Sequence, residues 1–267
     1  MIFLINSITS VLTYWLWRKR WPDLFDHPFV AAKILSKDFW LSPTCRADYK
    51  WGSLNVLIKL SLKPAIVYLS WLNVQMIATK TPLIQFTNKL SENLALISVL
   101  IFILLLDDFS RFLRHYLMHK IPMLWRWHSL HHSAEALTPL TFYRVHPGEE
   151  LISAIRKIAT DTVSFALLST VTDVYILEAY VGVSLSQVIA SSLGHHLRHT
   201  SIPISYGRLE SILTSPRAHQ LHHSIELQHR DKNFGSVFSI WDQLFGTFLS
   251  AEPWRHKKLE YGIGQLN

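Results

Sequence analysis

At 267 residues the chain suffices for one large domain or two small ones. Only 17% of its residues are charged, below the roughly 25% of soluble domains, while mean hydropathy is +0.18 and net charge is +7 with a pI near 9.5. This basic but apolar balance points to a membrane protein whose cytoplasmic face meets anionic lipid, not to a nucleic-acid binder, and the single cysteine, Cys45, excludes an internal disulfide and a cysteine-based metal site.

The first apolar run, residues 2–17, is followed at once by Arg18, Lys19 and Arg20. It lacks the charged start and small-residue cleavage site of a signal peptide, so it reads as a retained membrane helix. Residues 54–78 are a second candidate span, weakened by Lys59, Lys63 and Pro64. Residues 94–106, "LALISVLIFILLL", are the most apolar run and continue into "DDFSRFLRHYLMH". The stretch 94–113 reaches the about 20 residues that span a hydrocarbon core. Residues 163–193 are apolar apart from Asp173 and Glu178 and too long for one helix, so they read as a hairpin. With 18–20 in the cytoplasm, residues 107–162 and 194–267 share the cytoplasmic side. The expected fold is all-α: one integral-membrane domain over 1–267, with multi-pass helices below a cytosolic, histidine-rich helical cap.

The histidines have a pattern. All but His27 and His256 fall between His115 and His229. His115 and His119 are four apart, as are His195 and His199, and helical residues at that spacing share a face. "WRWHSLHHS" sets His128, His131 and His132 at i, i+3 and i+4, and "RAHQLHHS" repeats this with His219, His222 and His223. Neutral imidazole is the commonest histidine metal ligand. Ten imidazoles exceed the need of one metal and suit two, with neighbouring histidines facing different ions. Iron, zinc, copper and nickel all accept imidazole. A metal carrier would more naturally string carboxylates and histidines along a membrane path, and a haem carrier would use only two to four of these histidines.

The chain resembles the fatty acid hydroxylase and sterol desaturase superfamily of integral-membrane di-iron oxygenases. The resemblance runs from about Asp107 to Phe248 and is carried by "DFSRFLRHYLMHKIPMLWRWHSLHHSAEALTPLTFYRVHP", "LRHTSIP" and "SPRAHQLHHSIELQHRDKNFGSVFSIWDQLFGTF". It implies anchor helices over about 1–106 and a catalytic region over about 107–250. It also implies metal ligands at His115, His119, His128, His131, His132, His199, His219, His222 and His223, with His195 (or its neighbour His196) completing the set. Arg144, His146 and Pro147 match the family's R-x-His-Pro element, and His146 is expected behind the ligands. Asp107, Asp108 and Asn233 are further candidates there, the two aspartates as acceptors of the ligands' second ring N–H. Trp125, Trp127 and Trp241 are expected in an interfacial aromatic belt.

The resemblance further implies two iron ions, O2 as co-substrate, and a fatty acyl chain, ether lipid or sterol as substrate, hydroxylated or desaturated at a C–H bond. Zinc is expected to replace iron on overexpression, following the usual affinity order. No iron–sulfur cysteine set, Gly-rich dinucleotide turn or cytochrome b5 segment is present in the sequence, so a separate reductase, ferredoxin or cytochrome b5-type donor is expected. The expected location is a bacterial inner membrane with the cap in the cytoplasm.

Overall fold

The computed structural model describes residues 37–80, 92–168, 198–200 and 202–263. The expected first span at 2–17, residues 169–193 of the expected hairpin, and His195 and His196 lie outside the described residues. Within them the protein is helical, and the only β pairing is two isolated bridges, Leu213 with Phe238 and Ser224 with Tyr261. The helices are α1 (Lys37–Trp40), α2 (Pro43–Lys80), α3 (Glu92–Lys120), α4 (Pro122–His132), α5 (Pro147–Leu168), α6 (Pro216–His222) and α7 (Ile240–Leu244).

Helix α2 runs on through Pro64, and its residues Pro43–Asn73 are long and apolar enough to cross a membrane. Leu54, Leu57, Leu60 and Tyr68 on it are exposed, as are Ile97, Ile101 and Phe102 on α3. Among the described residues α2 alone meets that measure, whereas the expectation favoured 94–113. That stretch contains Asp107, Asp108 and Arg111, so its polar end belongs to the folded cap. Lys59, expected to weaken α2 as a span, has a partner: its Nζ lies 3.1 Å from a Glu150 oxygen and over the rings of Phe142 and Tyr143. Residues 163–168 are the described part of the expected hairpin. Helix α5 continues unbroken through 163–168, with Phe165 buried.

Helix α2 packs along α5 and the 3-10 turn Thr141–Tyr143, while α3 packs on α4 and α5. Polar ties fix α2 to the loop between α4 and α5. Asn55 Nδ2 donates to the carbonyls of Tyr143 (3.0 Å) and Val145 (2.6 Å). Asp48 accepts from the hydroxyls of Thr138 and Thr141. Arg144 reaches in the other direction. It donates to the Leu130 carbonyl at the end of α4, to Ser133 Oγ at 2.6 Å, and to Asp48 at 3.4 Å. A guanidinium fork suits this role because its donors are fixed in one plane. It satisfies carbonyls that a helix C-terminus leaves unpaired and so locks the end of the first triplet.

Candidate metal centre

Three short-range devices aim the histidines at one volume. Helix α3 carries His115 and His119 one turn apart on one face. Pro122 then starts α4 at its first position, where a missing N–H costs nothing. The tight α3–α4 turn folds His128, His131 and His132 back onto that face, all three buried. Helix α6 is short and begins with Ser215, whose hydroxyl accepts from Ala218 N at 3.0 Å, followed by Pro216. The buried Glu210 accepts from Ser215 Oγ at 2.6 Å and from Ala251 N at 2.8 Å, which anchors the cap itself. His219 and His222 follow on α6, and His223 is its C-cap.

The imidazoles divide into two nests. His115, His119, His128, His132 and His222 form one; His131, His199, His219 and His223 form the other. In each nest one nitrogen per residue lies within 4.8 Å of all the others. The consecutive histidines of each triplet part company: His131 and His132 face different nests, as do His222 and His223. The nests abut, with the His132 and His223 rings stacked 4.4 Å apart.

The donor chemistry fits a cation in each nest. His115 Nδ1 lies 3.0 Å from the Phe234 carbonyl and His222 Nδ1 lies 2.7 Å from the Lys232 carbonyl. A carbonyl only accepts, so both Nδ1 atoms carry the proton and Nε2 keeps a lone pair. His128 Nδ1 sits 3.0 Å from Glu149 Oε2, with the same consequence. The three Nε2 atoms are buried and have no hydrogen-bond partner, a costly state unless they ligate. In the other nest the Nε2 atoms of His131, His199, His219 and His223 follow one another at 3.0, 3.0 and 3.2 Å. Metal–nitrogen bonds of about 2.0–2.1 Å place adjacent ligand nitrogens roughly 2.9–3.4 Å apart.

Burial favours the neutral form of eight of these rings. It pushes His131 down to about 3 and His119 to about 4. His115, His132, His199, His219, His222 and His223 are also held well below the ordinary histidine value, by burial first and neighbouring imidazoles second. Burial alone would raise Glu149. His128 and the Arg114 guanidinium at 2.7 Å outweigh it and hold the carboxyl well below the usual range. Asp231 is likewise lowered, chiefly by its contact with His119 Nδ1 at 3.4 Å and by Lys120 at 2.7 Å.

The candidates expected behind the ligands are placed differently. Asp107 and Asp108 touch no imidazole in the described structure. Asp107 bridges Arg111 and Arg156, each at 2.8 Å. Asp108 accepts from the backbone N–H groups of Val237 and Phe238 and from the Trp241 indole. Both aspartates point to elements that pack beside α3, so they tie the cap together. His146 accepts from Gly148 N and stacks on Trp127, 5.5 Å between centroids. Asn233 adopts a positive φ of 57°, which asparagine tolerates. Its side chain donates to the carbonyls of Ala218 and Leu249. The expected belt tryptophans also lie within the fold: Trp125 leans on His119 and His132.

The acceptors that do orient imidazoles were not singled out in the sequence. Glu149 stands in the first turn of α5, three residues after His146 in "HPGEE", and that acid after the R-x-His-Pro element was the available signal. The other two acceptors are backbone carbonyls in "KNFG". Asp242 fixes that segment by accepting from the N–H groups of Phe234 (2.8 Å) and Gly235 (2.7 Å) and from Thr247 Oγ1 (2.6 Å). The "WDQLFGT" stretch therefore holds in place the carbonyls that orient His115 and His222.

A helical protein with two abutting all-histidine nests, each able to hold a metal ion, is the class defined by this fold and site. The chain belongs to the fatty acid hydroxylase family, whose model matches residues 100–247. It is 31% identical over 164 residues to an ornithine lipid hydroxylase OlsE from Rhizobium tropici, covering 60% of this chain and 44% of that protein. It is 29% identical over 148 residues to an alkylglycerol monooxygenase of Caenorhabditis elegans, covering 55% and 26% respectively. The human alkylglycerol monooxygenase is 28% identical over 156 residues, covering 58% and 31%. The chain thus spans less than half the length of these curated relatives. No solved structure matches it.

Proposed function

We propose that the chain is a membrane-bound, two-metal, O2-dependent oxidoreductase that hydroxylates a lipid C–H bond. The observation that carries this is the division of nine imidazoles, seven of them buried and His115 and His119 half-buried, into two abutting nests. The exposed apolar faces of α2 and α3 and the membrane-length α2 support seating in a bilayer, with the other expected spans completing a multi-pass anchor and the nests in a cytosolic cap. Relatives named as a lipid hydroxylase and as monooxygenases favour hydroxylation over desaturation.

His115, His119, His128, His132 and His222 would hold one iron, and His131, His199, His219 and His223 the other. Bound there, the pair of irons supplies the activation of O2, which protein side chains alone do not perform. The chain's own residues do the rest. Glu149 and the carbonyls of Phe234 and Lys232 hold His128, His115 and His222 in the Nδ1–H tautomer, presenting Nε2 to the ion. Trp125 and Phe234 pack against the five-histidine nest. Two electrons per turnover come from a separate donor protein.

The test is turnover of the metal-loaded protein with an electron donor, membrane lipid and labelled dioxygen. One labelled oxygen atom in a lipid product is expected. An unlabelled product two hydrogens lighter means desaturation instead. No oxygen-dependent change in any lipid, with metal loaded, refutes the enzyme reading.

A further inference from the structure

A cavity of about 210 Å3 opens against both nests and is lined by His115, His128, His131, His199 and His219. Its remaining wall mixes charged side chains with Phe142, Val145 and Phe234. Five cations reach it, and four have carboxylate partners: Lys59 pairs with Glu150, Arg111 and Arg156 with Asp107, and Arg114 with Glu149. The fifth is Arg198, the residue before the nest histidine His199. It is only 6% exposed, and its Nε has no hydrogen-bond partner among the described residues. The opposite charge that acts on it most strongly is Asp108. That carboxylate already accepts from two backbone N–H groups and an indole and makes no ion pair with Arg198.

A buried guanidinium nitrogen without a partner is costly. A fixed fork of N–H donors matches the oxygens of a carboxylate or phosphate. We infer that Arg198 is the binding residue for an oxyanion on the substrate, so that a polar lipid enters this cavity with its anionic headgroup beside the nests. The inference rests on the lipid-oxidising reading and narrows its substrate class to anionic or zwitterionic amphiphiles. A bare hydrocarbon chain can meet Phe142, Val145 and Phe234, but it offers the charged groups nothing in return for the water it strips from them. The C–H bond that reacts therefore lies close to the headgroup.

The experiment is calorimetric titration of the full-length, metal-loaded protein in neutral detergent micelles, with dodecyl phosphate, inorganic phosphate and dodecanol as probes. Metal content is measured alongside. Saturable binding of dodecyl phosphate is expected, weakened at least ten-fold in Arg198→Gln and several-fold in Arg198→Lys, which keeps the charge but loses the fork. Equal affinity of wild type and Arg198→Gln, or dodecanol binding as tightly as dodecyl phosphate, overturns the inference. Inorganic phosphate binding as tightly as dodecyl phosphate overturns the headgroup and assigns the site to a free anion. If Arg198→Gln fails to hold metal, Arg198→Lys decides, and unchanged affinity there is contradictory. Binding needs no turnover, so failure of the hydroxylase reading would show separately, in the labelled-oxygen assay.

Discussion

Glu149 Oε2 sits 3.0 Å from His128 Nδ1, while its other oxygen takes Arg114 at 2.7 Å. One carboxylate thus fixes the tautomer of an imidazole in the five-histidine nest and is itself held by a cation on α3.

Glu149→Gln removes the charge and breaks this chain. Loss of such a partner behind a metal-bound histidine lowers metal affinity roughly 10–100-fold. Chelator competition against the metal-loaded variant measures it. An affinity equal to wild type would show that Glu149 does not orient His128 as a ligand.

Gly235 is required by space. A Cβ there would stand 2.7 Å from Asp242 Oδ2, the Phe238 carbonyl and Thr214 Oγ1. Gly235→Ala displaces the segment whose Phe234 carbonyl orients His115, at about 1–3 kcal/mol for the overpacking. A lowered thermal midpoint together with reduced metal content is the expected pair of results. A midpoint and metal content both unchanged would mean that the segment relaxes freely.

Acid weakens the cap in a defined direction. An unfolded histidine takes up its proton near 6.5, whereas burial delays protonation of His119 to about 4 and of His131 to about 3. The unfolded state therefore binds more protons in this window. The stability that these two groups allow is full above about pH 6.5 and declines as pH falls toward about 4 and then about 3. Metal release runs the same way, since protons compete for the ligand nitrogens. The thermal midpoint of the metal-free protein should fall steadily below about pH 6.5. A midpoint that rises or stays level on acidification contradicts the neutral, buried assignment.

The histidine pattern was legible because helical spacing alone puts i, i+3 and i+4 on one face, and α4 and α6 are helices where the triplets lie. The parting of neighbours between nests follows from the same geometry. The orienting shell was harder to read. Backbone carbonyls carry no sequence signature, and the Phe234 carbonyl reaches His115 from 119 residues away. Asp107 and Asp108 end the most apolar run, but their partners, Arg156 and the N–H groups of Val237 and Phe238, are chosen by tertiary packing. Lys59 looked unfit for a membrane-length helix because its partner, Glu150, lies on another element.

The most direct measurement is the metal content of the full-length protein and of one variant per nest, reconstituted with ferrous iron. Two ions per chain are expected in wild type. His222→Ala, from the five-histidine nest, and His131→Ala, from the four-histidine nest, should each lose one ion, and the double variant both. One ion or none in fully folded wild type, or two ions retained in both single variants, would contradict the two-nest account.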